Sequence, residues 1–108
     1  MSAEPPTTFS VELTPAALAD LANISDKRTQ QSLYNRVLKL DTEPLKQGKP
    51  LVADLQHYRS VRGAGQRYRI IYLVAISGAT GTVSVVVIGI RKEGDKKDVY
   101  SIASKRLG

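Results

Sequence analysis

Apolar and polar residues alternate over Phe9, Ser10, Val11, Glu12 and Leu13, which predicts a short half-buried strand. Thr14 and Pro15 then supply an N-cap and a first-turn proline, and Ala17, Leu18, Leu21 and Ala22 fall on one helical stripe. Asn23 to Asp26 ends that helix. Asp26 caps a second one, in which Leu33, Tyr34, Val37, Leu38 and Leu40 recur at three- and four-residue steps. Two helices so closely joined form a hairpin that must rest its apolar face on another layer. Pro44, Gly48 and Pro50 make the next stretch an irregular connection, anchored by Leu45, Leu51 and Leu55.

From Tyr58 the pattern becomes β-rich. Tyr58 to Arg62, Gln66 to Ile76 and Thr82 to Ile90 read as strands of an antiparallel meander, separated by Gly63-Ala64-Gly65 and by Ser77 to Gly81. The last of these is apolar on both faces, so it belongs inside the sheet with the hairpin over one side. A basic loop from Arg91 to Lys97 leads to a final helix with Val99, Ile102, Ala103 and Arg106 on one face. The expected class is α+β: an N-terminal strand and helical hairpin packed on a small antiparallel sheet, with a C-terminal helix. Residues 1–8 read as a flexible lead-in and residues 9–108 as one domain.

Composition narrows the function. The 108 residues contain no cysteine, which excludes a disulfide scaffold and thiolate metal sites. No apolar run approaches the roughly 20 residues of a membrane-spanning helix, and the N-terminus lacks the pattern of a signal peptide, so a cytoplasmic protein without membrane contact is expected. The net charge of +6 hides an asymmetry: residues 1–58 carry 6 basic and 7 acidic side chains, residues 59–108 carry 10 and 3. A clustered cationic field of this kind attracts polyanions, nucleic acid first and an acidic protein next.

Strand alternation puts Arg67, Arg69 and Ile71 on one face and Tyr68, Ile70 and Tyr72 on the other. A turn centred near Ala79 sets Arg69 opposite Gly89 and Arg67 opposite Arg91. A first turn centred between Ala64 and Gly65 sets Arg62 opposite Arg67 and leaves Arg59 on the other face. Like charges directly opposite one another cost stability unless an anion compensates them. Gly89, in a β-branched strand, marks either a hollow for a ligand or a bulge. His57, the only histidine, is a candidate proton carrier or a plain surface residue. Tyr100 either stacks on a base or moves a proton, or simply packs. Paired histidine and carboxylate ligands, a phosphate-cradling glycine loop and covalent-hydrolase motifs are missing from the sequence, so no metal and no cofactor is expected.

From Phe9 to Leu107 these residues resemble the RelE/ParE superfamily of small bacterial toxins from type II toxin-antitoxin modules. The resemblance rests on Phe9 to Ala17, Pro44, Gly48-Lys49-Pro50-Leu51, Tyr58-Arg59 to Arg62, Arg67-Tyr68-Arg69-Ile70-Ile71-Tyr72, Ile88-Gly89-Ile90-Arg91 and Val99-Tyr100. For the RelE branch it implies a ribosome-dependent, metal-independent endoribonuclease that cuts translated mRNA. Arg69, Arg91 and Tyr100, with His57 added, would then be catalytic, and Arg59, Arg62, Arg67, Lys92, Lys96 and Lys97 would hold RNA. Arg59 stands where some members have lysine, and the second basic position of its strand is displaced to Arg62; arginine is a poor general base. The ParE branch instead implies a DNA gyrase poison, and a third possibility is a non-catalytic binding module. All three imply a cognate antitoxin and a toxin-antitoxin hetero-oligomer; the first adds the ribosome and mRNA as partners. Few apolar residues hold the final helix, so an antitoxin that displaces it is one expected route of control.

Overall fold

In a computed structural model, which describes residues 8–107, the first and last strands lie side by side in one sheet. The lead-in expected over residues 1–8 lies outside the described residues except for Thr8, which forms an antiparallel bridge to Thr42. Strand β1 (Ser10–Leu13) runs into helix α1 (Pro15–Ala22), where the Thr14 hydroxyl accepts the Ala17 N–H at 3.2 Å and Pro15 opens the first turn. Helix α2 (Lys27–Leu38) is capped by Asp26, which accepts from the Arg28 N–H, and tightens into a 3-10 turn over Lys39–Asp41. There follow β2 (Lys49–Pro50), a 3-10 turn at Ala53–Leu55, β3 (Arg59–Gly63), β4 (Tyr68–Ser77), β5 (Thr80–Ile90) and helix α3 (Val99–Leu107).

The sheet order is β1-β5-β4-β3-β2, with β1 parallel to β5 and the other pairs antiparallel. The sheet is thus mixed, not wholly antiparallel, because β5 is apolar on both faces and gains a second neighbour in β1. Two residues of the expected irregular connection, Lys49 and Pro50, pair with Ser60 and Arg59 as a short edge strand, a place where proline is tolerated.

Ala17 and Leu21 of α1 and Leu33, Val37 and Leu40 of the α2 region bury against Val61, Ile70, Tyr72, Val83, Val85 and Ile88. On the opposite face, Val99 and Ala103 of α3 bury against Ile71, Val86, Val87 and Leu55. Two consecutive valines face α3 because β5 holds a bulge: Ile71 pairs with Val87 and Tyr72 with Val85, leaving Val86 as the extra residue. Leu18, Tyr34 and Leu38, expected on the inner stripe, are 56%, 42% and 47% exposed. The stripe is wider than the sheet can cover.

Beyond Leu13, β1 no longer covers the edge of β5, and two side chains take its place. Asp20 accepts the Ile88 N–H at 3.0 Å, and Arg106 donates to the Val86 carbonyl at 3.0 Å. Asp20 and Arg106 also pair with each other through contacts of 2.8 and 3.0 Å, which ties α3 to α1 across the sheet edge. Buried backbone groups left unpaired would cost about 1–3 kcal/mol each, so this ion pair both closes the strand edge and holds α3 down.

Candidate functional site

Strand pairing places the basic residues. Arg62 lies directly opposite Arg69, not Arg67, because the first turn occupies residues 64–67 and shifts the register by two. A shift of two preserves the face, so Arg62 and Arg69 project to the α3 side with Ser60 and Ile71. Arg69 lies opposite Gly89 as expected, and the Arg91 N–H donates to the Arg67 carbonyl at 2.6 Å just past the strand ends. Arg59 lies on the hairpin face, where its guanidinium donates to the Gln47 carbonyl at 3.1 and 3.3 Å. The Tyr72 hydroxyl faces the carbonyls of Pro44 and Gln47 at 2.7 and 2.9 Å, and burial pushes that phenol above its ordinary pKa against the opposing influence of Arg59. Together they fix the loop that presents Lys49.

Arg69, Arg91 and Tyr100 line one groove of about 530 Å³ with Lys49, Leu51 and Asp54. An adjoining hollow of about 350 Å³ is lined by Lys49 and Arg69 again, with Arg36, Ser60 and Arg62. The two arginines of the cross-strand pair have no carboxylate partner among the described residues. Arg62 donates to the Gln66 side-chain oxygen at 2.7 Å, and Arg69 donates through one nitrogen to the carbonyls of Gln66 and Tyr68 at 2.6 and 3.1 Å. The Nε and Nη2 of Arg69 carry no hydrogen bond to a described residue. Directly opposed like charges are unfavourable in an empty site and favourable once an anion bridges them.

Arg91 is placed differently. Its Nη1 donates to Asp98 at 2.6 Å, its Nη2 to Glu93 at 3.2 Å, and its guanidinium carbon sits 4.9 Å from the centroid of the Tyr100 ring. Its pKa is raised further above the ordinary arginine value, chiefly by the hydrogen bond to Asp98. The Asp98 carboxylate, 4% exposed, also accepts the backbone N–H groups of Lys92 at 2.5 Å and Tyr100 at 3.0 Å. It therefore clamps Arg91, closes the 92–97 loop and caps α3 at once. The hydroxyls of Tyr100 and Ser60 share a hydrogen bond of 2.8 Å, which fixes the tyrosine against β3.

Gly89 lines a hollow of about 270 Å³ with Tyr68, Ile88 and Lys97, outside the Arg69 groove, and it is not the site of the bulge. A Cβ there would lie 3.2 Å from the Val99 side chain, so the glycine lets α3 approach the sheet, and the bulge lies at Val86. His57 is exposed in the turn before β3 and lines neither hollow. Lys92, Lys96 and Lys97 are exposed in the loop, with Lys92 paired to Asp95 at 3.4 Å and Lys97 turned toward Tyr68 and Ile88, away from the Arg69 groove. Lys49, Ser60 and Asp98 belong to the site and carried no chemical expectation from the sequence. The N-cap position of Asp98 before an apolar helical run was the available signal.

The model of a family described as the ParE toxin of the type II toxin-antitoxin system parDE matches residues 11–95. The chain belongs to that family, within the RelE/ParE superfamily. Among solved structures, the toxin is similar to a chain of the Mycobacterium tuberculosis toxin-antitoxin complex RelBE2, at 27% identity over 79% of this chain and 93% of that one, with a TM-score of 0.68. It also shares its fold with a mutant of the Escherichia coli toxin RelE in the free state, at 18% identity over 94% and 99% of the two chains and a TM-score of 0.68. A chain of the chromosomal ParDE system of Pseudomonas aeruginosa matches at 16% identity over 76% and 95%, with a TM-score of 0.58. A comparison with curated protein sequences finds no significant match. Among the described residues of the toxin, no helix is long and apolar enough to cross a membrane.

The clamp at α3 gives the toxin an acid-sensitive element. Burial pushes the Asp98 carboxyl up, but hydrogen bonds from Arg91, Lys92 and Tyr100 outweigh it and hold the group below its ordinary 3.8. A depressed carboxylate contributes stability that is fully present above the unfolded-state value and lost as pH falls through the folded one. Amide exchange of residues 99–107, corrected for intrinsic rates, should thus accelerate below about pH 4. Asp98→Asn should flatten that dependence; an equal dependence in both proteins would assign it to another group.

Proposed function

We propose that the toxin is a RelE-type endoribonuclease that cuts mRNA during translation, and that the groove holding Lys49, Arg69, Arg91 and Tyr100 binds the scissile phosphate. The observation that carries this reading is the Arg62–Arg69 pair, two opposed cations with no carboxylate partner among the described residues, beside a tyrosine hydroxyl fixed by Ser60. Cleavage needs only the substrate's own 2′-hydroxyl as nucleophile: its oxygen bonds to phosphorus, the bond to the 5′-oxygen breaks, and a 2′,3′-cyclic phosphate results. Arg69 and Lys49 offset the charge that builds on the phosphoryl oxygens. Asp54, the carboxylate lining the groove, accepts the 2′-hydroxyl proton, and the Tyr100 hydroxyl supplies one to the leaving oxygen. Arg91, already paired with Asp98 and Glu93, positions Tyr100 and adds a partly compensated charge. A cognate antitoxin restrains the toxin as its partner; the Mycobacterium tuberculosis relative is described in such a complex.

A second reading is gyrase poisoning, favoured by the ParE description of the matching family. One experiment separates the two. Purified toxin added to a translation extract is expected to halt synthesis and leave mRNA ends inside codons. Trapped DNA breaks in the presence of gyrase, with translation intact, would reject the ribonuclease reading in favour of the second.

A further inference from the structure

Helix α2 has a polar face that neither the core nor the candidate groove uses. Its sequence holds Lys27, Arg28 and Arg36, Lys39 follows it, and it contains no acidic residue. Lys27 and Arg28 sit in the first turn, at the positive end of the helix dipole, where cations are unfavourable. Asp26 caps the helix, but no carboxylate stands four residues from Lys27, Arg28 or Arg36, Glu43 four beyond Lys39 pairs with Lys46 instead, and Arg28, Arg36 and Lys39 form no ion pair among the described residues. Stability alone does not select such a pattern.

These cations line a groove of about 570 Å³ between α2 and the β3–β4 turn, with Arg62 on its far wall. Arg36 and Arg62 also line the hollow next to it, and Lys49 and Arg69 connect that hollow to the groove of Tyr100. Three concavities thus join through shared walls into one path that starts on α2, crosses the β2–β3 edge and ends beneath α3. None of the side chains lining the first two is acidic. None in the α2 groove is a large apolar residue, so it lacks the buried anchors on which a protein partner depends. Gln31, Ser32 and Asn35 stand among the cations instead, with the amide and hydroxyl groups that contact phosphate and sugar oxygens.

We propose that this path is a second binding segment for a single RNA strand, with Arg28, Arg36 and Lys39 holding phosphates of the same strand whose scissile bond lies at Arg69. From Arg28 to Lys39 the helix rises about 16 Å, room for a few phosphates. With no aromatic side chain in the α2 groove to stack on a base, the segment binds without sequence preference and sets affinity and footprint, not chemistry. The proposal rests on the RNA reading of the Arg69 groove, and its test separates the two.

Labelled oligouridylates of about 4 and about 15 nucleotides, the range of typical single-strand site sizes, are titrated at several salt concentrations against wild type, Arg69→Ala and the triple variant Arg28→Ala, Arg36→Ala, Lys39→Ala. Alanine at positions 28 and 36 favours α2, and an unchanged melting temperature confirms the fold. The triple variant is expected to bind the longer RNA at least about tenfold more weakly, with a salt slope shallower by about 2, while its hold on the short RNA is unchanged. An unchanged affinity and slope for the longer RNA would overturn the path and leave the Arg69 groove standing. Full binding of the short RNA by Arg69→Ala, or no binding of either RNA by wild type, would overturn the RNA reading and the path with it. Polyglutamate bound as tightly as RNA, and lost equally in the triple variant, would reassign the surface to an acidic protein partner.

Discussion

Replacing Arg69 with alanine is expected to abolish growth arrest while leaving the toxin as stable as before, or slightly more so. The two halves of that expectation come from one observation. Arg69 faces Arg62 directly across β3 and β4, with only the oxygens of Gln66 and Tyr68 to soften the repulsion. Removing it relieves a like-charge pair, worth a few tenths of a kcal/mol in the folded state. On the proposed ribonuclease reading the same guanidinium makes charge-assisted contacts to the phosphoryl group, and losing such a donor costs roughly 2–4 kcal/mol, a factor of about 30 to 1000 in rate. A residue kept for packing would show the reverse: a lower melting temperature and retained toxicity. Growth curves after induction, together with thermal melts of the purified variant, decide between these patterns. Full toxicity in Arg69→Ala would remove this residue from the active site.

The Arg69–Gly89 pairing was legible in the sequence for a reason that hides a compensation. The β4–β5 turn is a two-residue one at Gly78 and Ala79, since Ser77 pairs with Thr80, and taken alone it would place Arg69 one residue out of register. The bulge at Val86 restores the offset, so the expected turn centre and the real turn plus bulge bring the same residues together. No such cancellation occurs at the first turn, and Arg62 moved two places along β4. The two-place shift at the first turn kept Arg62 on the expected face, because face depends only on odd or even register, whereas the one-place shift at the second turn needed the bulge to cancel it. The helices and their caps were legible because Thr14, Pro15 and Asp26 act within three residues of the backbone groups they meet. Asp98 with Arg91, Ser60 with Tyr100 and Asp20 with Arg106 were not, since the partners lie 7, 40 and 86 residues apart and meet only once the sheet exists. The parallel placement of β1 was hidden likewise: alternation over Phe9 to Leu13 shows a strand but not its neighbour.

Asp98 is expected to matter more to the toxin than any residue of the site except Arg69, and without touching substrate. Of α3 only Val99 and Ala103 are fully buried, with Tyr100, Ile102 and Leu107 partly so, and polar contacts hold the helix at both ends. At the far end Arg106 is tied to Asp20; at the near end the Asp98 carboxylate receives Arg91, Lys92 and Tyr100. Asp98→Ala leaves Arg91 with the exposed Glu93 alone and uncaps the helix. Losing this part-buried pair and the cap together should cost about 2–3 kcal/mol, a fall in melting temperature of roughly 10–20 °C for a chain of this size. Because Tyr100 and Arg91 both hang on this clamp, toxicity should fall although neither is altered. Arg91→Ala should fall in stability for the same reason, which sets it apart from Arg69→Ala. Amide exchange locates the damage: residues 99–107 should lose protection in Asp98→Ala well before β4 and β5 do. Native-like melting and exchange in that variant would show that α3 is anchored by Arg106 and Asp20 alone, and that an antitoxin lifting the helix has only one latch to open.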